Sequence, residues 1–523
     1  MDRRTLFQGL GAGLAMSLAQ PAAWAAPNTG RWLRLESANF VMYSSASEES
    51  SREELAALEG FHALITRIMP RKSLSPAKLP IYVTRTNPDF DLTAPYYRNS
   101  MVMGYYSAGI EGTVAVSKSL RYQPRQRDMP RNVRADDARV ILFHEYTHHY
   151  VLSNNRTGYP AWYIEGIAEF LSTAEFTTTG VEVGKFTQGR AYSLMRGSWL
   201  EIEKFLDRPD QMSGEEVGAF YAQSWLATHY MMLGRPERAK GFDRYVRLLQ
   251  EGGNVLTSFE PAFGITPGQF DQELREYKRK PIEFGPIPGI FPVESGIQTT
   301  RLAAAYDNLL LPMVYLRRLP TAEKAKDTVR QIKDEVRRNK ADIDAQRAGA
   351  WVETWYGDLS EARKQIDAIL AVNGDSAETH YVSGLCDLRA AYAASDAALF
   401  ERARKSFGRS HARDDTRASA LFRYFESGLN ATGEVDDHLI EVLIKAYQLA
   451  PQVDAIVATT AHALMARERF DEAVIVLRPL AANPHGGKLA EKAVEWLASA
   501  NAKQKMDFSV TGAAVIIEGE EED

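Results

Sequence analysis

One segment rich in proline and glycine divides the chain. It reads KRKPIEFGPIPGIFP over residues 278–292 and contains four prolines and two glycines. This composition interrupts helices and strands and is typical of a connection between domains. The chain has 523 residues, more than a single ordinary domain contains. We therefore predict two parts of different structure, joined by a linker over residues 281–299.

The first part, residues 31–280, mixes strand and helix patterns. Residues 40–45 (FVMYSS) and 79–86 (LPIYVTRT) are rich in β-branched and aromatic residues, which predicts strands. Residues 51–69 follow a helical period behind a serine cap, and residues 101–117 predict a hairpin with glycine in its turns. The remainder is mainly helical. We expect an α+β domain, with a small N-terminal sheet followed by a helical subdomain that carries the active site.

The second part, residues 300–505, reads as helix after helix. Stretches that begin at Leu359, Phe400 and Phe470 each place alanine three residues after the leucine or phenylalanine. Their spacing is irregular, and they resemble degenerate tetratricopeptide-type helical repeats. Such repeats stack to bury a continuous core and leave a concave surface. We predict an all-α superhelical domain of this type, and a plain helical bundle is the alternative.

The two ends of the chain are predicted to lie outside these domains. Residues 1–25 combine Arg3 and Arg4 with a short apolar run and an Ala-x-Ala site, which predicts a cleavable, twin-arginine-like signal peptide. An uncleaved anchor is the alternative, although the run is too short for a stable membrane span. Residues 506–523 predict an acidic, solvated tail. We expect a periplasmic or otherwise exported protein with no integral membrane segment in the mature chain.

Composition narrows the possible partners. The formal net charge is -6 and no long basic stripe occurs, so we expect no binding to nucleic acid. The single cysteine, Cys386, excludes an internal disulfide. Its helical surroundings predict a small buried residue.

The main candidate site follows an apolar run at residues 140–143. That run predicts a buried helix, which Asp136 or Asp137 can cap at its start. The sequence HEYTHH begins directly after the run, at His144. Ionisable groups are costly in a core unless they are paired or bind a metal. We therefore expect this helix to carry a functional site.

The spacing of the histidines suits a metal ion. His144 and His148 are four residues apart, so both imidazoles lie on one face of the helix and can bind one tetrahedral zinc. Glu145 lies beside that face, where it can act as general base toward a zinc-bound water. His149 points about 100° away from His148 and is not counted as a ligand.

A second helix supplies further carboxylates. It is predicted to start at Pro160 and carries Glu165 and Glu169, which again share one face. Glu165 follows His148 by 17 residues (165 − 148), enough for this helix to return and offer a third ligand. Glu169 can accept the other ring N–H of a ligating histidine. The alternative is a buried hydrogen-bond network of His and Glu residues without a metal.

HEYTH followed by PAWYIEGIAEF resembles the gluzincin metallopeptidases and, more narrowly, the peptidase-MA-like group. The resemblance covers residues 31–277. It implies one zinc ion per chain, held by His144, His148 and Glu165, with Glu145 as general base. It also implies the gluzincin fold for the first part.

The same resemblance points to three further features. Glu169 matches the acidic residue that orients a histidine ligand in related enzymes. FYAQSWLATHYMM matches a downstream helix, on which Tyr221 is the first candidate and His229 the second for stabilising the oxyanion. Enzymes of this type bind substrate along an edge strand, and residues 112–117 (GTVAVS) could form it, although an interior strand is the alternative.

These features together predict an exported zinc metallopeptidase. It would hydrolyse a peptide or protein substrate by glutamate-assisted attack of a zinc-bound water, and the helical repeats would recruit substrate or a protein partner. Two alternatives remain open. One is a non-catalytic scaffold whose tetratricopeptide-like repeats are the functional part, and the other is a zinc amidase that acts on cell-wall peptides.

Overall fold

The computed structural model describes residues 29–70, 77–95, 102–118, 133–134, 138–154, 157–208, 211–289, 291, 296–372, 374–483 and 486–506. Three predictions lie outside these residues. They are the signal peptide over residues 1–25, the helix cap at Asp136 or Asp137, and the acidic tail from residue 507 onward.

Strands are confined to the first part of the described chain and the segment that follows it. Their bounds are β1 (Thr29–Glu36), β2 (Phe40–Ser44), β3 (Leu79–Thr84), β4 (Gly104–Gly109), β5 (Gly112–Lys118), β6 (Val133–Arg134), β7 (Glu175–Phe176), β8 (Gly180–Val183), β9 (Phe186–Thr187), β10 (Gly285–Pro288) and β11 (Gln298–Ala303). The strands predicted near residues 40 and 79 are confirmed as β2 and β3. The predicted hairpin is confirmed as β4 and β5.

Six of these strands form one mixed sheet in the order β11-β1-β2-β3-β5-β4. β2, β3 and β5 run parallel to one another, with Phe40 opposite Leu79 and Ile81 opposite Ala115. β1, β4 and β11 are antiparallel to their neighbours. Two small sheets join β7 and β10 to β8, and β6 to β9. Within the described sheet, β4 lies at one edge and β11 at the other.

Helices make up most of the rest of the first part. They are α1 (Glu48–Ile68), α2 (Asn87–Thr93), α3 (Ala138–Asn154), α4 (Ala161–Ser172), α5 (Gln188–Arg196), α6 (Ile202–Leu206), α7 (Gly214–His229), α8 (Ala239–Gln250), α9 (Phe259–Phe263) and α10 (Pro267–Lys278). The helices predicted from residue 51, from about residue 135 and from Pro160 are confirmed as α1, α3 and α4, but α1 begins earlier than predicted, at Glu48, and its cap is Ser47 and not Ser51.

α1 and α3 cover one face of the main sheet. Side chains alternate along β2, so Phe40 and Met42 are buried in the core that these helices share. Phe61 of α1 stacks on Phe143 of α3, with 4.1 Å between the ring centroids. This packing fixes α3 against the sheet, and α3 carries the candidate site.

The second part is helical, as predicted, from α11 onward. Its helices are α11 (Tyr306–Leu316), α12 (Ala322–Arg338), α13 (Ile343–Tyr356), α14 (Leu359–Ala371), α15 (Ala377–Ala394), α16 (Ala397–Arg413), α17 (Ala418–Thr432), α18 (Asp437–Leu449), α19 (Asp454–Ala466), α20 (Phe470–Ala481) and α21 (Gly487–Asn501). Consecutive helices pack on one another. The ring of Phe407 packs against Gly384, and Leu439 packs against Gly428. A Cβ at either position would overlap that side chain. Cys386 is buried on α15, as predicted.

The segment predicted as a linker carries strands. β10 pairs with β8, and β11 pairs with β1 in the main sheet. Residues 300–303 were predicted to be helical but belong to β11. The physical reason is that β1 offers an open edge that another strand can satisfy. Proline is tolerated in β10 because that strand lies at the edge of its sheet.

α11 covers the second face of the main sheet. Leu310 and Leu311 form a buried cluster with Trp32 of β1. Val314 joins a second cluster with Phe90 of α2 and Val116 of β5. The first helix of the second part is therefore also a layer of the first part.

The turn of the β4–β5 hairpin is embedded in the second part. Ile110 belongs to the apolar core that α17 to α21 form. Glu111 accepts hydrogen bonds from Arg423 at 2.9 Å and from the Tyr381 hydroxyl at 3.0 Å. Arg423 also pairs with Glu426 at 2.7 Å, and the side chains of Glu111 and Arg423 are only 2% and 3% exposed. A buried ionic network thus joins the two parts.

None of the described helices has the length and apolar character that a membrane crossing requires.

Candidate metal centre

The side chains of three predicted ligands converge at one point between α3 and α4. The Nε2 atoms of His144 and His148 lie 2.9 Å apart. Oε2 of Glu165 lies 3.5 Å from the first nitrogen and 3.4 Å from the second. These three residues, called the metal group below, have possible ligand atoms that all lie within 4.8 Å of one another.

The size and chemistry of this triangle fit a single zinc ion. Tetrahedral zinc with bonds of about 2.0–2.1 Å separates its ligand atoms by about 3.3 Å. The observed separations of 2.9 to 3.5 Å bracket that value. Two imidazole nitrogens and one carboxylate oxygen are also a donor set typical of catalytic zinc, which keeps a fourth position for other ligands.

Gly166 allows the helix that carries Glu165 to pack closely against α7. Glu165 is fully buried on α4, which packs between α3 and α7. A Cβ on the next residue, Gly166, would overlap Oγ1 of Thr228 and the carbonyl oxygen of Ser224 on α7. The close approach of α4 to α7 therefore requires glycine, and it sets the position from which Glu165 reaches the histidines.

Glu169 lies behind His144, on the side away from His148 and Glu165. Its Oε1 atom is 3.4 Å from Nδ1 of His144. The same oxygen accepts a hydrogen bond of 2.6 Å from Nη2 of Arg190. The carboxylate therefore faces the ring nitrogen that does not point into the cluster, as predicted for a residue that orients a ligating histidine.

The carboxylates strongly favour the protonated form of His144. Burial by itself would lower its pKa, but the hydrogen bond to Glu165 and the charges of Glu169, Glu165 and Glu145 outweigh burial and raise the pKa to about 9. In the absence of a cation, His144 itself carries positive charge at neutral pH. The negative charge of the surrounding carboxylates therefore favours a cation in this site, either the protonated ring or a metal ion.

Glu145 lies half-buried on the side of α3 that faces the hairpin. Tyr106 of β4 has its hydroxyl 3.0 Å from Nδ1 of His149, one turn after Glu145. Burial, followed by the charges of Asp454 and Glu145, raises the pKa of Tyr106 well above its usual value. Asp454 begins α19, so the surroundings of the predicted general base include the second part of the chain. His149 contacts Tyr106 and is not a member of the metal group.

Tyr221 lies beside the cluster. Its ring centroid is 6.2 Å from that of His144, and the Arg190 guanidinium covers its ring at 4.8 Å. Burial raises the pKa of Tyr221, and the charge of Glu165 acts in the same direction. The hydroxyl therefore keeps its proton at neutral pH and is available as a hydrogen-bond donor.

The structure does not bring His229, the second candidate, to the cluster. Its Nδ1 lies 3.0 Å from the Tyr277 hydroxyl and its Nε2 lies 2.9 Å from the carbonyl oxygen of Glu283. Both ring nitrogens are thus engaged elsewhere. Burial lowers the pKa of His229 to about 4, so the ring is neutral at physiological pH. We read His229 as a buried structural residue.

The GTVAVS stretch forms an interior strand, which was the alternative, and not the edge strand that the resemblance suggested. β5, which contains the GTVAVS stretch, lies between β3 and β4, and β4 forms the edge on this side of the described sheet. Sequence order did not reveal this because the hairpin folds back outside β5. β4 packs against α3, and a Cβ on Gly104 would lie 3.1 Å from Ile141. The edge beside the candidate metal helix is therefore β4.

A cavity of about 530 Å³ lies between the β4–β5 hairpin and the second part. His149 and Gly109 line it from the first part, and Gln452 and Arg317 line it from the second. Gln452 also donates a hydrogen bond of 3.2 Å to Oγ1 of Thr113. The cavity has the size of a small-ligand or short-peptide site and reaches the helix that carries the metal group.

Comparisons of the chain with protein-family models, with curated proteins and with solved structures found no match. The chemistry of the site is therefore the basis for a functional proposal.

Two residues at the site were not predicted from the sequence. Arg190 contacts Glu169 and Tyr221, and Tyr106 contacts His149. Arg190 follows Glu169 by 21 residues and belongs to no recognisable motif. Tyr106 lies in a predicted hairpin, where an aromatic residue is ordinary. Only the tertiary packing singles them out.

Proposed function

We propose that this chain is a zinc-dependent metallopeptidase of gluzincin type. The observation that carries the proposal is the convergence of His144, His148 and Glu165 within bonding reach of one ion. These residues come from two helices and are brought together in a buried site. A buried cluster of this kind is costly unless it serves a paired or metal-bound state.

A bound zinc would polarise a peptide carbonyl and lower the pKa of water. Its protein ligands would be His144, His148 and Glu165, and Glu169 would orient His144 from behind.

The remaining steps belong to side chains around the cluster. Glu145, whose charge acts on His144, would take a proton from the attacking water and pass it to the leaving amine nitrogen. Tyr221, with a raised pKa, is the candidate to donate a hydrogen bond to the oxygen on which negative charge develops. β4, the edge strand of the described sheet, could pair with an extended substrate backbone, which would give binding that tolerates varied sequences.

The second part would act as a tetratricopeptide-like domain that recruits a substrate or a partner protein. Its helices pack consecutively, as stacked repeats do. It also lies close to the site, because a Cβ on Gly158, in the loop before α4, would meet the carbonyl oxygen of Arg478 on α20. A recruited chain would therefore be held near the metal group. We also propose that the protein is exported, to the periplasm or beyond.

The first experiment measures zinc per chain in the purified protein and in His148→Ala. We expect about one tightly held zinc in the wild type and a loss of most of it in the variant, because one of three ligands is removed. Asn154→Ala, in the last turn of the same helix, serves as a matched control. A wild type that binds no zinc when zinc is supplied would contradict the proposal.

The second experiment separates an enzyme from a scaffold. Glu145→Gln should keep zinc and the fold but lose hydrolysis of peptides by at least about a hundredfold, since it removes the general base. A peptide mixture and isolated cell-wall peptides would be tested side by side. Cleavage of only the cell-wall peptides would favour the amidase, and zinc binding without any hydrolysis by the wild type would favour the scaffold.

A further inference from the structure

The geometry points to Arg190 as a positioning residue for the metal cluster, and this inference rests on the function proposed above. We infer that one guanidinium holds both Glu169 and Tyr221 in place. Arg190 therefore fixes the orientation of His144 and the position of the tyrosine ring beside it.

The first contact of Arg190 is with Glu169, which faces the proposed metal ligand His144. Nη2 of Arg190 donates to Oε1 of Glu169 at 2.6 Å, and that oxygen is 3.4 Å from Nδ1 of His144. Glu169 is 5% exposed, so few waters compete for its oxygens. The carboxylate thus lies between a fixed cation and the imidazole. It holds the ring with Nε2 facing the other ligands.

The second contact of Arg190 is with Tyr221, the candidate hydrogen-bond donor. The Arg190 guanidinium lies over the Tyr221 ring at 4.8 Å, and the ring is 6.2 Å from the His144 ring. A guanidinium can donate hydrogen bonds in its plane while it stacks through its face. Arg190 therefore ties α4, which carries Glu169, to α7, which carries Tyr221.

The backbone of Arg190 is itself fixed. Its N–H donates to the side chain of Thr187, which caps α5. The preceding strand, β9, pairs with β6. The Arg190 side chain is 28% exposed and is therefore partly covered by its neighbours. The bridge between α4 and α7 thus starts from a residue whose backbone is hydrogen-bonded and whose side chain is partly buried.

The test measures the zinc affinity of the full chain by competition with a chelator after metal removal. Arg190→Ala should weaken zinc binding about 10- to 100-fold, the usual effect of losing a partner behind a ligand. Because Arg190 acts through Glu169, adding Arg190→Ala to Glu169→Ala should cost little more. An affinity within about twofold of wild type would overturn the inference. Fully additive losses in the double variant would also overturn it.

Arg190→Lys separates the two contacts and remains informative if the alanine variant does not fold. Lysine keeps the charge beside Glu169 but lacks the planar face that stacks on Tyr221. We expect it to recover most of the zinc affinity while kcat stays low and KM changes little. A lysine variant that binds zinc as weakly as the alanine variant would contradict the role of the charge.

A matched control excludes a general effect on stability. Arg238 pairs with Glu273 of α10 at 2.6 Å and is similarly covered, with 16% of its side chain exposed. Arg238→Ala should leave zinc affinity unchanged. If the wild type binds no zinc, the proposed function fails. If wild type and Arg190→Ala bind zinc equally well, only the role of Arg190 fails.

Discussion

His144 has its two ring nitrogens in different surroundings. Nε2 faces His148 and Glu165, and Nδ1 faces Glu169. The hydrogen bond and the surrounding negative charges raise its pKa to about 9 despite burial. The metal-free protein therefore keeps a proton on this ring at neutral pH, and a metal ion that bound here would have to displace that proton.

Zinc affinity should consequently rise with pH. Because the pKa of His144 is raised to about 9, the competing proton is present below that value and is lost as the pH approaches it. We expect about a tenfold gain in affinity per pH unit between about pH 7 and pH 8.5. Competition with a chelator, corrected for the protonation of the chelator itself, measures this slope. An affinity that does not change over this range would contradict the raised pKa.

At the scale of elements, the position of α4 depends on its glycine. Gly166 lets α4 approach α7 so closely that no Cβ fits, and Glu165 precedes it directly. The helix cannot move away from α7 without moving the carboxylate from the histidines. The stability of this helix pair and the geometry of the metal group are therefore coupled.

Gly166→Ala should weaken both properties. We expect a loss of about 1–3 kcal/mol in the free energy of unfolding, because the added methyl group overlaps Thr228 and the backbone of Ser224. Zinc affinity should fall as well. Chemical denaturation and chelator competition measure the two effects.

Gly214→Ala is the control for this substitution. Gly214 starts α7, and a Cβ there meets nothing within 4 Å. Its stability should change by less than about 1 kcal/mol. If Gly166→Ala behaved like Gly214→Ala, the close approach of α4 to α7 would not control the site.

The sequence predicted the elements that depend on local patterns and missed the contacts between residues that are far apart in the chain. α3 and α4 were predictable because the apolar run, the HEYTH spacing and the EGIAE spacing are local patterns. The edge position of β4 and the pairing of β11 with β1 were missed because strand pairing depends on distant parts of the chain. Arg190 was missed for the same reason, since its contacts lie on two other helices.

At the scale of the whole molecule, the hairpin turn holds the two parts together. Glu111 of the hairpin turn is embedded in the second part, where Arg423 and Tyr381 donate to it, and both members of the ion pair are almost completely buried. Removing Glu111 would leave the donors of Arg423 and Tyr381 without this acceptor in a medium of low polarity, although Glu426 still pairs with Arg423. The second part therefore lies in a fixed position beside the metal helix.

Glu111→Ala should destabilise the protein by about 1–3 kcal/mol, because the buried donors of Arg423 and Tyr381 lose this acceptor while Glu426 still balances the charge of Arg423. Chemical denaturation measures the change. Arg469→Ala, which removes an exposed pair with Glu441, should change stability by less than about 1 kcal/mol. Equal effects of the two substitutions would show that the hairpin contact contributes little.

The pairing of β1 with β11 also has a consequence for the order of folding. The backbone N–H of Arg31 bonds to Asp307, 276 residues later in the chain. β1, the first of the described strands, therefore waits for one of the last segments of the sheet before its outer edge is closed. A chain cut after residue 280 would leave that edge open and would uncover Trp32, so it would be prone to aggregate. Despite its proline and glycine, the segment between the two parts is a poor place to divide this protein.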